Sequence, residues 1–319
     1  MTKERIRELL GGAGAVAVGF ARAGRVSDSA ARTFDSWLDA GREAGMSFMH
    51  NHREIRLDPR LLLDEAATII SMAFSYHSEP ARPQSLPMVS EYALLPDYHD
   101  WVREAIRESG IAMLLGEEMR DWRICVDSAP IMERYWAVKS GIAIRGDNGA
   151  SIVPGVGCEV ILAEIVTTHT FEPDIPIEGD CGHCGACRRN CPTGALLDNR
   201  TDDCNRCLSY LTIEHRGEWT DPTHIEAMDT PAGLSTLFGC DRCMAICPHN
   251  NRHVTAVRRQ LQGVVSLTAG DVTGMTQIQF STLMKGSSLK RAKLTGLRRN
   301  ASHILSLKGA LRLSFDKDS

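Results

Sequence analysis

The chain has 319 residues, 43% of them apolar, which is enough for a sizeable core and argues against general disorder. The formal net charge is only −4, but between residues 252 and 312 eleven Lys/Arg stand against the single acid Asp271. A basic C-terminal part on an acidic body points to an anionic partner for that part.

In chain order, Lys3, Arg5 and Arg7 precede an apolar stretch at residues 9–20, somewhat as in a signal peptide. Glu4, Glu8 and four glycines break that pattern, so a helix over 3–10 and a strand over 15–20 fit better. No run of eighteen apolar residues occurs, so no membrane span is expected, and the location is expected to be cytoplasmic. Residues 66–74 read as a buried strand. Residues 100–119 read as a helix with Ala105, Ile106, Ile111, Met113 and Leu114 on its apolar face. Residues 130–140 form a further helix, opened by Asp127 or Ser128 as a cap with Pro130 in its first turn. A strand-rich stretch follows at 152–166. This alternation predicts an α/β or α+β body. Pro173, Pro176 and Gly179 mark a linker, a cysteine-rich segment runs from 181 to 248, and the basic end reads as helical from 276. The resulting division is a body over 1–172, a cluster segment over 173–252 and a helical C-terminal region over 253–319.

The chemistry concentrates in the cysteines, eleven in all. Without export signals, such clustering means metal rather than disulfides. Cys181, Cys184, Cys187, Cys191 and Pro192 complete the C-x2-C-x2-C-x3-C-P pattern. Three closely spaced thiolates wrap one face of a cubane. The fourth, beside proline, ligates a second cluster. A zinc site would use only four ligands, and far more are on offer. The second run, Cys240, Cys243, Cys247 and Pro248, aligns by its C-P ending. Leu237 then falls where Cys181 stands and cannot ligate iron. The exchange rule gives one [4Fe–4S] cluster Cys181, Cys184, Cys187 and Cys247. The other takes Cys191, Cys240, Cys243 and either Cys204 or Cys207. Cys125 and Cys158 remain, and read as small buried apolar residues.

Beyond the cysteines, the chain resembles the epoxyqueuosine reductases, relatives of the reductive dehalogenases. The resemblance rests on Met46-Ser-Phe-Met49, Arg56-Leu-Asp58-Pro59, Asp97-Tyr98-His99, Val126-Asp127-Ser-Ala-Pro130 followed by Glu133, and Arg206-Cys207-Leu-Ser209-Tyr-Leu-Thr-Ile-Glu214. Gly239-Cys240-Asp241, Gly286-Ser287 with Arg291, and Gly296-Leu297 with Arg299-Asn300 also match. It implies a cobalamin-binding body, a ferredoxin-like domain with two [4Fe–4S] clusters, and a short C-terminal helical part of HEAT-like character. It favours Cys207 as the eighth ligand. It makes Asp127 the proton donor for a two-electron removal of an epoxide oxygen from a modified base in tRNA, and a donor of that kind needs burial to raise its pKa. Arg56, Tyr98, His99, Asp127, Ser209 and Asp241 are the implied cobalamin contacts. The implied partners are tRNA and a low-potential electron donor such as a flavodoxin or ferredoxin, with the protein a monomer. Lys285, Lys290, Arg291, Lys293, Arg298 and Arg299, within fifteen residues, are the expected tRNA contacts. The Gly146-Asp147-Asn148 segment departs from the family pattern, which has lysine at the position of Asp147, and a reversed charge beside the cofactor pocket is expected there. The alternatives are a corrinoid reductase acting on a small molecule and a non-catalytic electron carrier or corrinoid-reactivating partner.

Overall fold

The structure is a computed structural model. It describes residues 2–197, 201–256 and 258–315, with side chains described through residue 306. The body is built on helix α1 (Lys3–Gly12), strand β1 (Ala17–Arg22), helix α2 (Asp28–Asp39), strand β2 (Thr68–Ser75), helix α3 (Tyr98–Glu108), strand β3 (Trp122–Cys125), helix α4 (Glu133–Lys139) and strand β4 (Val160–Thr167). The sheet runs β1-β2-β4-β3, with every neighbouring pair antiparallel. The fold is therefore α+β. The long connections between strands wander over the faces, where short helical crossovers would have produced a parallel sheet.

Side chains alternate across the sheet. One face turns Phe20, Ile70, Met72, Phe74, Ile124 and Ile165 toward Ile6 and Leu10 of α1 and Trp101, Val102 and Ile106 of α3. The other turns Ala21, Ile69, Cys125 and Val166 toward Phe34 and Leu38 of α2 and Trp136 of α4. The central strand β2 is buried along its whole length, so residues 66–74 read as a continuous apolar run.

Two helices are shorter than their patterns. The helix expected over 100–119 stops at Glu108, where Gly110 takes φ +80°, and a separate turn spans Ala112–Leu115. Met113, expected in the core, is exposed. The helix expected over 130–140 begins at Glu133, and neither Asp127 nor Ser128 caps it. Asp127 sits instead in the left-handed region at φ +54°, with its carboxyl turned away from the helix.

The C-terminal region is welded to the rest. Helix α5 (Leu208–Ile213) and the strand Thr236–Phe238 pack against the long helix α6 (Lys293–Phe315). Asn300 of α6 donates to the carbonyls of Thr212 and Leu237, each at 2.9 Å. One core draws on Val89 and Leu94, on Ile213 and Phe238, and on Leu289, Leu297 and Ala301.

Candidate active site and cluster ligands

The strand β3 delivers Asp127. Its N–H donates to Glu133 Oε1, and its Oδ2 accepts the Tyr98 hydroxyl and lies 3.3 Å from His99 Nε2. The other imidazole nitrogen, Nδ1, is 2.7 Å from Oδ1 of Asp97, the residue that caps α3. The sequence Asp97-Tyr98-His99 thus starts a helix and aims two side chains at one carboxylate, with the Tyr98 and His99 rings stacked at 4.1 Å.

The electrostatics correct one expectation. Burial pushes the Asp127 carboxyl up, but the hydrogen bonds from His99 and Tyr98 outweigh it, and the carboxyl lies below its ordinary value. The protons reside on its neighbours. Burial opposes the charge on His99, yet Asp127 and Asp97 together raise it to about 9. Burial, then repulsion from Asp127, pushes Glu133 up to about 8. The exposed Asp127 side chain is thus favoured as the anion, and that anion favours the protonated forms of His99 and Glu133 beside it.

The walls are aromatic and basic. Tyr92 stands edge-on to Tyr98 at 5.7 Å, and Tyr76 edge-on to Tyr92 at 6.3 Å. Arg56 is half-buried close to Glu133 and Asp127. Among the described residues its Nε has no partner, and neither has the buried Tyr76 hydroxyl. Such stranded polar atoms fit a large cofactor with carbonyl acceptors around its rim, as cobalamin has. Ser209 lies in the first turn of α5, two residues past Cys207. Asp241 is committed to a structural bond, accepting the Glu91 N–H at 2.6 Å. Glu214 and Arg291 form a bidentate pair at 2.7–2.9 Å on the rim, with Arg291 5.4 Å from the Phe48 ring and close enough to Asp127 to feel its charge.

The cysteines fall into two sets. Burial pushes the Cys243 thiol up, and the nearby Cys207, Cys240 and Cys191 push it further, so these four share one neighbourhood. Gly239, at φ +71°, permits the turn into Cys240; a Cβ there would meet Ser90 Oγ at 2.1 Å. In the other set, Cys181 and Cys247 pack on the patch of Ala150, Ile152 and Cys158, while Cys184 lies beside Cys187. The helices Ala186–Arg189 and Arg242–Ala245 pack together and join the two sets. Both donor sets suit [4Fe–4S] clusters. Cys204 is buried among Leu208, Leu211 and Met228. Cys158 is buried against Ala150 and Ile152, as its reading as a small apolar residue expects, and its sulfur also lies 3.3 Å from Asn250 Oδ1.

Three basic residues are not where the sequence put them. Arg299 is buried, stacks 4.3 Å from the Trp219 ring and donates to the carbonyls of Leu211, His215 and Gly217, which leaves no fork for a phosphate. Arg299→Ala should cost roughly 2–4 kcal/mol in chemical denaturation, because several buried carbonyls lose their donor. Arg291 is engaged with Glu214, and Arg298 donates to the Met275 carbonyl. Lys285, Lys290 and Lys293 remain exposed. Asp147 sits beside the Cys181 loop and not beside Asp127, paired with His183 Nδ1 at 2.9 Å. Sequence reasoning assigned no role to Glu133, Glu164, Tyr92 or Glu214, although Glu133 and Glu214 stand in the motifs that carry the resemblance and Glu164 is a lone glutamate inside the apolar run of β4.

The comparisons agree with this geometry. Residues 56–128 match the family model "Epoxyqueuosine reductase QueG, DUF1730", and residues 180–250 match a 4Fe–4S double cluster binding domain. An epoxyqueuosine reductase of Cellulophaga algicola is 31% identical over 292 residues, covering 90% of this chain and 92% of that one. The solved Bacillus subtilis epoxyqueuosine reductase, with its catalytic aspartate loop swung out of the active site, superposes with a TM-score of 0.82 at 27% identity, covering 95% of this chain and 80% of that one. An epoxyqueuosine reductase solved with an epoxyqueuosine-modified tRNA stem loop gives 0.75 at 26% identity, over the same shares. With the identity running nearly end to end, the cysteine sets paired and the carboxylate held at the end of β3, this chain belongs to the epoxyqueuosine reductase family.

Proposed function

We infer that this protein reduces epoxyqueuosine to queuosine in tRNA, with Asp127 delivering protons to the epoxide oxygen. The observation that carries the reading is Asp127 itself, gripped by Tyr98 and His99 in a molecule that also carries the double-cluster cysteine motifs. Opening the epoxide to an alkene breaks two C–O bonds, takes two electrons and releases the oxygen as water with two protons. Cobalamin, reduced through the two clusters, supplies the electrons when bound. Arg56, Tyr98 and His99 are the residues that would hold it. Asp127 passes the His99 proton to the departing oxygen, and Asp97 keeps the imidazole in place for it. The positioned acid contributes roughly 10²–10⁴-fold.

On the rim, Phe48 and Arg291 offer a stacking face for an unpaired base, and the exposed Lys285, Lys290 and Lys293 suit the phosphates. A low-potential donor such as a flavodoxin or ferredoxin would meet the exposed Cys184 loop, and the working unit is a monomer. The deciding assay incubates the reconstituted protein, under a strong reductant, with epoxyqueuosine-containing tRNA and reads the nucleosides by mass spectrometry. Conversion is expected; none at full cofactor load would favour a small-molecule substrate. Replacing Lys285, Lys290 and Lys293 together by alanine should weaken tRNA binding and reduce its salt slope by about three. An unchanged slope would mean that these lysines only face solvent.

A further inference from the structure

Asp127 is held at more points than its carboxylate. Its backbone stands at φ +54°, in the left-handed region that residues with a Cβ rarely adopt. The Ser128 N–H turns back to the Val126 carbonyl and closes a tight turn with Asp127 at its centre. Such a conformation persists only where the surroundings hold it. Two side chains do so here, one from each neighbouring helix. Glu133, the first residue of α4, reaches back along the chain, and its Oε1 accepts the Asp127 N–H. Arg103 of α3 donates through Nη2 to the Ser128 hydroxyl. Arg103 lies one helical turn beyond His99, so the two share a face of α3. That face grips the turn twice, through the Asp127 carboxylate, 3.3 Å from His99 Nε2, and through Ser128. The cap position of α4 falls to Met132, which makes no side-chain capping bond, while the Glu133 carboxyl is spent on the loop.

Resting on the functional reading above, we propose that Glu133 and Arg103 are positioning residues, a clasp on the backbone side of the Asp127 turn that fixes the carboxylate against Tyr98 and His99. Neither delivers a proton; both act through where they hold Asp127. A proton donor must meet its acceptor at hydrogen-bond distance, and a displacement of about 1 Å costs on the order of 10²-fold in rate. Bonds from two helices set that distance. Helix α3 fixes the carboxylate and Ser128, and α4 fixes the Asp127 N–H. Without Glu133 the N–H loses this acceptor, the turn relaxes toward an ordinary backbone conformation, and the carboxylate leaves Tyr98 and His99.

The test compares Glu133→Ala with Glu133→Gln in the fully reconstituted protein. Both remove the carboxyl, but glutamine keeps an accepting Oε1 in the same place. Glu133→Ala should lower kcat on an epoxyqueuosine tRNA stem loop by roughly tenfold or more while KM holds. Glu133→Gln should recover most of that loss. Arg103→Ala and Ser128→Ala should each lower kcat by roughly two- to tenfold, the worth of one hydrogen bond. The double variant should lose no more than either alone. An independent arm needs neither tRNA nor turnover. It titrates the His99 imidazole by nuclear magnetic resonance, with the signal assigned by its loss in His99→Gln. The groups facing that ring are Asp127, Asp97 and Tyr98. Burial opposes the charge on His99, but the two carboxylates raise it, so the unsubstituted protein should titrate at about 9. Glu133→Ala should move that value down toward the ordinary histidine range, and Glu133→Gln should hold it. Equal losses of kcat in the two Glu133 variants, or a His99 titration that Glu133→Ala leaves unchanged, overturn the clasp at Glu133. Additive losses in the double variant overturn it at Arg103. If Glu133→Ala does not fold, Glu133→Gln decides, and a loss there beyond about tenfold sinks the clasp. An unsubstituted protein that converts no epoxyqueuosine would count against the functional reading, while the His99 titration still tests the clasp.

Discussion

Asp127→Asn should leave folding, cluster content and cobalamin binding intact while turnover falls by roughly 10²-fold or more. The asparagine keeps the size of the side chain and can still accept from Tyr98 through its carbonyl. The Asp127 N–H bond to Glu133 is a backbone bond and survives any substitution. What is lost is the anion. His99 then keeps only Asp97 as a partner, so its pKa should drop from about 9 toward the ordinary histidine value. The sign follows from linkage. A histidine raised in the folded protein adds stability that is fully present below the unfolded value near 6.5 and is lost as pH rises through about 9. Asp127→Asn should therefore lower stability more at pH 6 than at pH 10, a contrast that thermal melts at the two pH values measure. Turnover of the unsubstituted enzyme should fall as pH rises through about 9, the value to which His99 is raised. Full activity of Asp127→Asn on modified tRNA would remove Asp127 from the mechanism.

Much of this site is legible in the chain, and the reasons for the rest are physical. Iron–sulfur ligation has a local grammar, because three thiolates must reach one cubane within a few residues; the pairing of Cys181 with Cys247, and of Cys191 with Cys240 and Cys243, follows from it. Asp127 was legible as the acid through the resemblance, but the residues alone also read it as a helix cap, which it is not. The Asp-Ser-Ala-Pro run looks like a helix start, and only the fold shows that the cap position passes to Met132 while Asp127 turns toward Tyr98 and His99. The protonation pattern was out of reach for a related reason. A sequence shows that a carboxyl is near a pocket, but not that two donors from a helix thirty residues earlier converge on it. The basic cluster near the C-terminus was read as one surface. Helical periodicity divides it: Arg298 and Arg299 are adjacent in sequence, yet Arg299 faces Trp219 and the carbonyls at the end of α5, while the lysines face out. The antiparallel sheet was hidden because β2 and β4 are central strands whose side chains are buried on both faces, so they lack the polar alternation that marks a sheet with one wet side.

The eighth ligand gives the other large effect. Cys207→Ala should lose one whole cluster, taking iron from about eight to about four per chain, while Cys204→Ala should keep all eight. The two cysteines are one tight turn apart, with the Cys207 N–H bonded to the Cys204 carbonyl at 3.0 Å. Cys207 lies near Cys240 and Cys243, and Cys191 lies near Cys243. Cys204 turns into the apolar cluster of Leu208, Leu211 and Met228, its sulfur 3.9 Å from Asp202 Oδ2. Cys204→Ala therefore removes a small buried group, costing about 1 kcal/mol of packing and no metal. Removing Cys207 leaves Cys191, Cys240 and Cys243, three thiolates from two distant segments. The missing cluster also unties Cys191, so the segment around Cys191 should gain proteolytic sensitivity. Iron and sulfide analysis after anaerobic reconstitution measures the first effect, and limited proteolysis the second. Four irons in Cys204→Ala and eight in Cys207→Ala would reverse the assignment. Eight in both would mean that the second cluster takes a ligand other than either cysteine.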